Sequence, residues 1–593
     1  MVQFILINMV DLFRSIPIQA PKRNFFNLSH EVKTTTELMR LSPIFKEKVV
    51  PNDLFKVSTE IMCRMLATVA PIMHRIDIYT HYFFVPYRLL YDDFEKYISG
   101  GKNGQYDVPR PLVNLGVLYD TIALGGVDNE TIRHIFGYGS LLDYLGFPVQ
   151  HWTRLDNTIN IAVLKNFDVP YAPFLAFFKI YCDYYNDENF GVQQWEDYED
   201  LGITTVAFWS KFKKGRTPVK LSSDLQSAVV SIFNRHNRAW QKDYFTSALP
   251  WQQRGPSVQV PVSFAGAPAA SYAVKARTFS GVGTSPYFQK ADGTAPSLGK
   301  LQTAISGVEK YVNVDTETGQ PLTFNPNGSL FVDIPQGSGG VGELLLQELR
   351  RTMKVQEFFE KDARGGYRYA EVLPSHFGIR SRDSRLQRAE YLGGGKSPLV
   401  VMQIANTSSG DESNPQGNLA GIGVSRQKTH QFKYRVPEHG IILGIMSIMP
   451  KANYMDGVRR EFYATSRFQE YWPSFANLGE QPIQPFELYM PAGITDIDDS
   501  TNPFGYTPRY AEYKHRNDEI NGYFRGNLKF WHLGRSFSSA PTLGQTFIYS
   551  EPNPDRIFAT STEYPLSQDH FLCQIYHTVR TVRPMPKWGV PTF

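Results

Sequence analysis

From Ala70 to Pro86 the chain reads APIMHRIDIYTHYFFVP, an alternation that predicts a β-strand. Ile76, Ile78, Thr80, Tyr82 and Phe84 fall on one face, and Asp77, Tyr79, His81, Phe83 and Val85 on the other. The second face is too apolar at its end for open water, so both faces need cover. Pro86 closes the strand, and the following LLYDDFEKYI predicts a short helix with its acids near the start. LFKVSTEIMCRMLA, SPLVVMQIAN, HQFKYRV and GIILGIMSIMP are further short, turn-bounded, β-rich runs. Helical periodicity appears in NETIRHIFGYGSLLDYLG, APFLAFFKIYCDYYNDE and GELLLQELRRTMKVQEFFEKDA. In the last of these Leu345, Leu349, Thr352, Met353 and Phe359 share a face, and the glycines at 365 and 366 end the helix.

This order predicts one elaborated domain. Residues 1–50 read as an N-terminal arm, polar and without a strong period after residue 20. Residues 51–98 carry strands, 99–235 a helix-containing insertion, and 236–261 a core segment. Residues 262–340 are rich in Gly, Ser, Thr, Ala and Pro and predict a polar, exposed insertion loop or subdomain. Residues 341–593 hold a helix, the remaining strands and a C-terminal arm. Strands far apart in sequence, joined by long insertions, fit a mainly-β fold: an eight-stranded jelly roll with helical and loop insertions.

Composition sharpens this picture. Aromatics make up 14% of the 593 residues, a bias that suits strands and protein contacts. A net charge of +4 excludes a strongly basic histone-like binder and leaves room for local basic patches. Cys63, Cys182 and Cys573 share no metal-binding spacing and suggest reduced thiols. The apolar start is interrupted by Asp11 and lacks a basic lead, so it reads as an arm and not as a secretion signal. No run reaches the ~18 apolar residues of a membrane helix, so membrane insertion is not expected.

Catalytic chemistry finds little footing. YLGGGKSPL resembles the end of a phosphate-binding loop, but Glu390 stands where the first glycine belongs, and the stretch reads as a glycine turn entering a strand. His74 and His81 are seven apart and fall on opposite faces of a regular strand, so they cannot share an ion and read as structural. Asp92, Asp93 and Glu95 suit the first turn of a helix better than a carboxylate pair. DIDDSTN at 496–502 is an acidic loop able to meet a cation but reads as a solvated turn. No cofactor, metal or catalytic residue is assigned. Basic residues do gather: Arg380, Arg382, Arg385 and Arg388; Lys213, Lys214 and Arg216; and, near the C-terminus, Arg580, Arg583 and Lys587 beside Trp588. Charges interleaved with rings suit single-stranded nucleic acid. Inter-subunit hydrogen bonds would use the same guanidinium forks.

ARGGYRYAEVLPSHFGIRSRDSRLQRAEYLGGGKSPLVV resembles the major capsid proteins of the Microviridae, gokushovirus-like and related small phages. FFNLSHEVKTTTELMRL, KDYFTSALPWQQRGPSVQVP, PQGNLAGIG, YWPSFANLGEQPI, FGYTPRYAEYKHR, HLGRSFSSAPTLG and VRPMPKWGVP extend the likeness in order along nearly the whole chain. The resemblance implies a viral jelly roll that assembles through pentamers into an icosahedral shell around circular single-stranded DNA, without catalysis. It implies as partners other copies of the chain, the genome, a small basic DNA-binding protein, a DNA pilot protein, a scaffolding protein and a host-surface receptor. The setting is the virion, assembled in a bacterial cytoplasm, with 262–340 as the first candidate for surface attachment and 99–235 as the second. Arg580, Arg583, Lys587 and Trp588 are the candidates to face the genome, and Arg380, Arg382, Arg385 and Arg388 the candidates for subunit or DNA contact. A carbohydrate-binding or carbohydrate-degrading β-sandwich is the alternative, since aromatic loops also stack on sugars.

Overall fold

The computed structural model describes residues 22–105, 112–154, 156, 158–191, 194–256, 258, 346–405, 417, 419–428, 431–464, 466–490, 502–550, 556–558 and 569–588, with short strands between 263 and 343. Ten strands form one curled antiparallel sheet. In chain order they are β1 (Asn24–Asn27), β2 (His30–Thr36), β3 (Ser42–Val49), β4 (Leu54–Met65), β5 (Ile76–Pro86), β6 (Glu390–Ala405), β7 (Leu419–Lys428), β8 (Phe432–Arg435), β9 (Gly440–Pro450) and β10 (Phe571–Arg583). The path across the sheet is β1, β10, β4, β7, β6, β5, β9, β3, with β2 also on β10 and β8 also on β4. β6 joins the two halves: its residues 390–399 pair with β5 and its residues 400–405 with β7. The mainly-β roll with helical insertions is thus observed, and the stretch read as an N-terminal arm supplies three of its strands.

Period-two alternation decides what each face buries. Ile76, Ile78, Tyr82 and Phe84 of β5 pack inside the curl with Val57 and Ile61 of β4, Ile442, Met446 and Ile448 of β9, and Ile575 and Val579 of β10. The other face of β5, through Phe83 and Val85, meets Ile441, Leu443 and Ile445 of β9 and a helical layer. That layer contains α1 (Leu115–Leu124), α2 (Asn129–Phe136), α3 (Ala172–Ile180) and α4 (Ser223–Phe233). Asp128 caps α2 by accepting the Thr131 N–H at 3.0 Å, which satisfies a donor the helix itself cannot. The apolar run GIILGIMSIMP becomes β9, buried along its whole length. The aromatic stretch from Ala70 is therefore covered on both sides by its own chain.

Two local expectations change. The glycine triplet of YLGGGKSPL lies inside β6 and not in a turn before it. A bulge between Tyr391 and Gly393, with Gly393 at φ +144°, bends the strand there. A Cβ on Gly394 would strike the Thr80 carbonyl oxygen of the paired strand, so the close approach requires glycine. His74 precedes β5 instead of lying on it; its Nε2 donates to the Lys451 carbonyl at 2.8 Å, while His81 Nδ1 bonds Tyr185 Oη at 2.7 Å. Cys63 and Cys573 sit opposite each other on β4 and β10 as free, buried thiols 3.1 Å apart.

Residues Gly255–Phe359 form a separate compact unit, in which Val274–Arg277 pairs with Ser329–Val332 and Phe288–Lys290 with Leu322–Phe324. A helix is observed at Leu346–Gly365, as its periodicity predicts, with Met353 64% exposed; Leu345, and the acidic loop at 496–502 apart from Asn502, lie outside the described residues. Among the described residues no helix is long and apolar enough to cross a membrane.

Candidate nucleic-acid interface

β10 is the strand that positions the C-terminal basic residues. Phe571, Cys573, Ile575, His577, Val579 and Thr581 point into the core, and Leu572, Gln574, Tyr576 and Arg580 point out. Register then places Arg580 directly beside Lys56 of β4, and Lys56 beside Lys433 of β8. Cβ atoms so opposed stand about 4.5–5.5 Å apart, and like charges at that spacing repel. All three side chains are exposed, and among the described residues none of the three forms an ion pair. The sheet thus carries a transverse row of three cations with no ion-pair partner among the described residues. Further along the same face Lys428 lies opposite Glu60, and Arg426 reaches that carboxylate at 3.3 Å. Exposed Arg435 of β8 and Arg64 of β4 lie on this face too, so the Lys433–Lys56–Arg580 row is part of a wider basic surface.

Arg583 is on the other face. It stands three residues from Arg580, an odd offset that turns it inward. Its guanidinium lies 3.4 Å from Asp53, a fully buried carboxylate, and 5.4 Å from the Phe55 ring centroid, and Nη2 donates to the Lys48 carbonyl at 3.0 Å. Burial pushes the Asp53 carboxyl up, opposed by the Val50 N–H and by Arg583. Arg583 is thus a tie between the end of β10 and the turn before β4. Lys587 and Trp588 are exposed, the ammonium 5.9 Å from the indole centroid and the ring 75% accessible, an arrangement open to a stacking partner.

The arginines of GIRSRDSRLQR also divide. Arg388 lies 4.8 Å over the Tyr184 ring and donates to the Asp183 carbonyl, while the Ala389 N–H donates to the Asp183 carboxylate at 2.9 Å. It fastens the start of β6 to the π-helical segment Tyr181–Tyr185 that continues α3. Arg380, Arg382 and Arg385 are exposed. Among the described residues no contact joins this group to the row on β4, β8 and β10. The residues sequence reasoning missed are Lys56 and Lys433: each is a lone lysine in an ordinary alternating strand, and only the pairing register makes them neighbours of Arg580.

His74, His81, His236 and His577 are held neutral by burial, each pushed down to about 4. Among the described residues no group of three or more His, Cys, Asp or Glu is placed to hold a metal ion.

Known proteins resolve the class. The family model described as "Capsid protein (F protein)" matches residues 15–593. The chain belongs to this phage capsid-protein family. It is 32% identical to "Capsid protein VP1" of Chlamydia phage 1 over 623 residues, covering 98% of each chain. It is also 32% identical to "Capsid protein VP1" of Bdellovibrio phage phiMH2K, covering 98% of this chain and 97% of the relative. "Capsid protein VP1" of Spiroplasma virus 4 follows at 26%, over 96% and 95%. The resemblance to the Microviridae capsid proteins is borne out, and the role is that of a major capsid subunit. The carbohydrate-active reading gains no support from any of these relatives. For this capsid protein the relevant chemistry is contact with other copies of the chain.

Proposed function

We propose that this capsid protein assembles through pentamers into a T=1 icosahedral shell, and that the face carrying Lys433, Lys56 and Arg580 is turned toward an enclosed single-stranded DNA genome. The observation that carries the second part is the row of three cations on one sheet face, without ion-pair partners among the described residues, a spacing that costs stability unless a polyanion covers it. Lys587 and Trp588 extend this surface with a charge and a ring, and Arg380, Arg382 and Arg385 serve contacts between copies. Arg583 supports the interface from behind by fixing the end of β10. The role is structural and non-enzymatic. Assembly proceeds in the bacterial cytoplasm with a scaffolding protein, a small basic DNA-binding protein and a DNA pilot protein, and the segment 262–340 carries host attachment through a surface receptor.

Electron microscopy of the purified chain with analytical sedimentation tests the shell. Uniform isometric particles, or five-fold oligomers that close into them with scaffolding protein added, are expected; oligomers that never close would overturn the reading. Nuclease-protected single-stranded DNA inside the particles tests the genome.

A further inference from the structure

The fold sorts the three cysteines of the chain into two kinds. Cys182 sits in the cluster of the helical layer, whereas Cys63 and Cys573 share the cluster inside the curl of the sheet. The register of β4 against β10 sets Cys63 directly opposite Cys573, so both side chains leave the sheet on the same face. Directly opposed residues of an antiparallel pair have Cα atoms about 4.5–5.5 Å apart, inside the roughly 4.4–6.8 Å that a disulfide spans. The two Sγ atoms stand 3.1 Å apart. Closing them to a bond of about 2.05 Å is a matter of side-chain rotation and not of backbone movement. The backbones are held on both sides, because Cys573 also pairs with Thr34 of β2 and Cys63 with Ser425 of β7.

Both thiols are buried, Cys573 at 4% exposure and Cys63 at 0%. The facing thiol and burial push the Cys573 thiol well above its ordinary range. Little thiolate then exists at neutral pH, and attack on an oxidant is slow. Such a pair stays reduced in a cytoplasm that itself maintains thiols. Access runs past β2. This strand pairs with β10 alone among the described residues, and most of its residues are exposed or half-buried. A polar strand with so little buried area opens locally more readily than the core, and its opening uncovers the Cys573 side of the pair.

We propose that Cys63 and Cys573 are a dithiol switch, reduced while the chain is made and closed into a cross-strand disulfide by a peroxide once the particle has left the host cell. The Cys573 thiolate attacks one peroxide oxygen and the O–O bond breaks. The other oxygen leaves as hydroxide, takes up the thiol's proton as water, and Cys573 becomes a sulfenic acid. Cys63 Sγ then attacks that sulfur, the S–O bond breaks, and hydroxide leaves with the Cys63 proton as a second water. Two thiols give up two electrons and the peroxide accepts them. The bridge joins residues 510 apart in sequence and fastens β10, on which β1 and β2 hang, to β4. Only the timing rests on the proposed assembly in a cytoplasm.

The test treats the reduced full-length chain, freed of reductant, with hydrogen peroxide. Mass spectrometry after alkylation in denaturant and thermal melts are made on the same samples. An intact mass lower by two hydrogens, a peptide pair joining Cys63 to Cys573, and alkylation at Cys182 alone are expected. The melting temperature should rise by about 3 °C and fall back with dithiothreitol. Cys573→Ala, or Cys63→Ala should the first fold poorly, should lose both the cross-link and the rise, and Cys182→Ala should keep both. Three results would each overturn the proposal: both thiols still open to alkylation, one of them oxidised further without a cross-link, or a cross-link without a rise. None of these readouts needs a particle, so a failure of shell assembly, seen by microscopy, is told apart from a failure of the switch.

Discussion

Neutralising the row across β8, β4 and β10 separates binding from folding, because the two respond with opposite sign. The perturbation is Lys433→Gln, Lys56→Gln and Arg580→Gln together. Lys56 stands between the other two, so the triple variant removes two opposed like-charge pairs. Each such pair destabilises by roughly 0.2–1 kcal/mol, so the folded chain should be unchanged or slightly more stable. Binding to single-stranded DNA should weaken. Each phosphate contact contributes about 0.7 to the slope of log affinity against log salt, so three contacts contribute about 2, or roughly 100-fold in affinity near 0.1 M salt. The assay is a salt titration of oligothymidylate binding by fluorescence anisotropy, with thermal melts of the same samples. Lys213→Gln, Lys214→Gln and Arg216→Gln remove the same charge from the exposed turn of the helical insertion and should leave the slope unaltered. A triple row variant that keeps the parent slope, or that matches the control, would refute the assignment. So would a fall in melting temperature of several degrees, since that would make the row a structural element.

Four further outcomes are expected. Arg583→Gln should cost about 2 kcal/mol, because it strips a buried carboxylate of its partner, yet leave the DNA salt slope intact; chemical denaturation beside the anisotropy titration reads both. His577 accepts from Thr59 Oγ1 at Nδ1 and donates from Nε2 to the Ile44 carbonyl, and burial pushes it down from 6.5 to about 4. Its contribution is therefore complete above pH 6.5 and lost as pH falls toward 4, about 2 kcal/mol by pH 5, and His577→Asn should flatten that part of the stability–pH curve. Trp209→Ala should destabilise by about 3–5 kcal/mol, since its fully buried ring stacks on Tyr171 4.9 Å away, and urea unfolding measures the loss. Gly394→Ala should abolish soluble expression or assembly, scored by particle yield, because no rotamer relieves a clash with the backbone of β5.

The strands were legible because their period is short and their apolar residues dense. APIMHRIDIYTHYFFVP announces a strand covered on both sides, and β5 is one. Its register is not in that alternation, since pairing with β6 and β9 joins segments hundreds of residues apart. The N-terminal strands were missed for a related reason. HEVKTTT on β2 is polar with half of its surface open, and it becomes a strand through pairing with β10 and not through its own composition. The candidate interface divides in the same way. That Arg580 and Arg583 face opposite ways follows from their odd spacing once a strand is granted, and so was readable. That Lys56 and Lys433 join Arg580 depends on tertiary pairing and was not.

The aromatic excess bears on how much of this subunit is complete before assembly. Many of the large rings are spent within the chain: Trp152, Trp209, Phe136 and Phe174 fill the helical layer, and Tyr82, Phe55 and Phe84 the curl of the sheet. These clusters give the isolated chain a core of its own. A second set is left outside, with Tyr523 80%, Phe462 70%, Tyr369 69% and Phe377 69% exposed. Tyr and Phe are enriched where protein surfaces meet. The two sets should therefore respond differently: substituting an exposed ring should lower particle yield while the subunit still melts normally, whereas substituting a core ring should lower the melting temperature first.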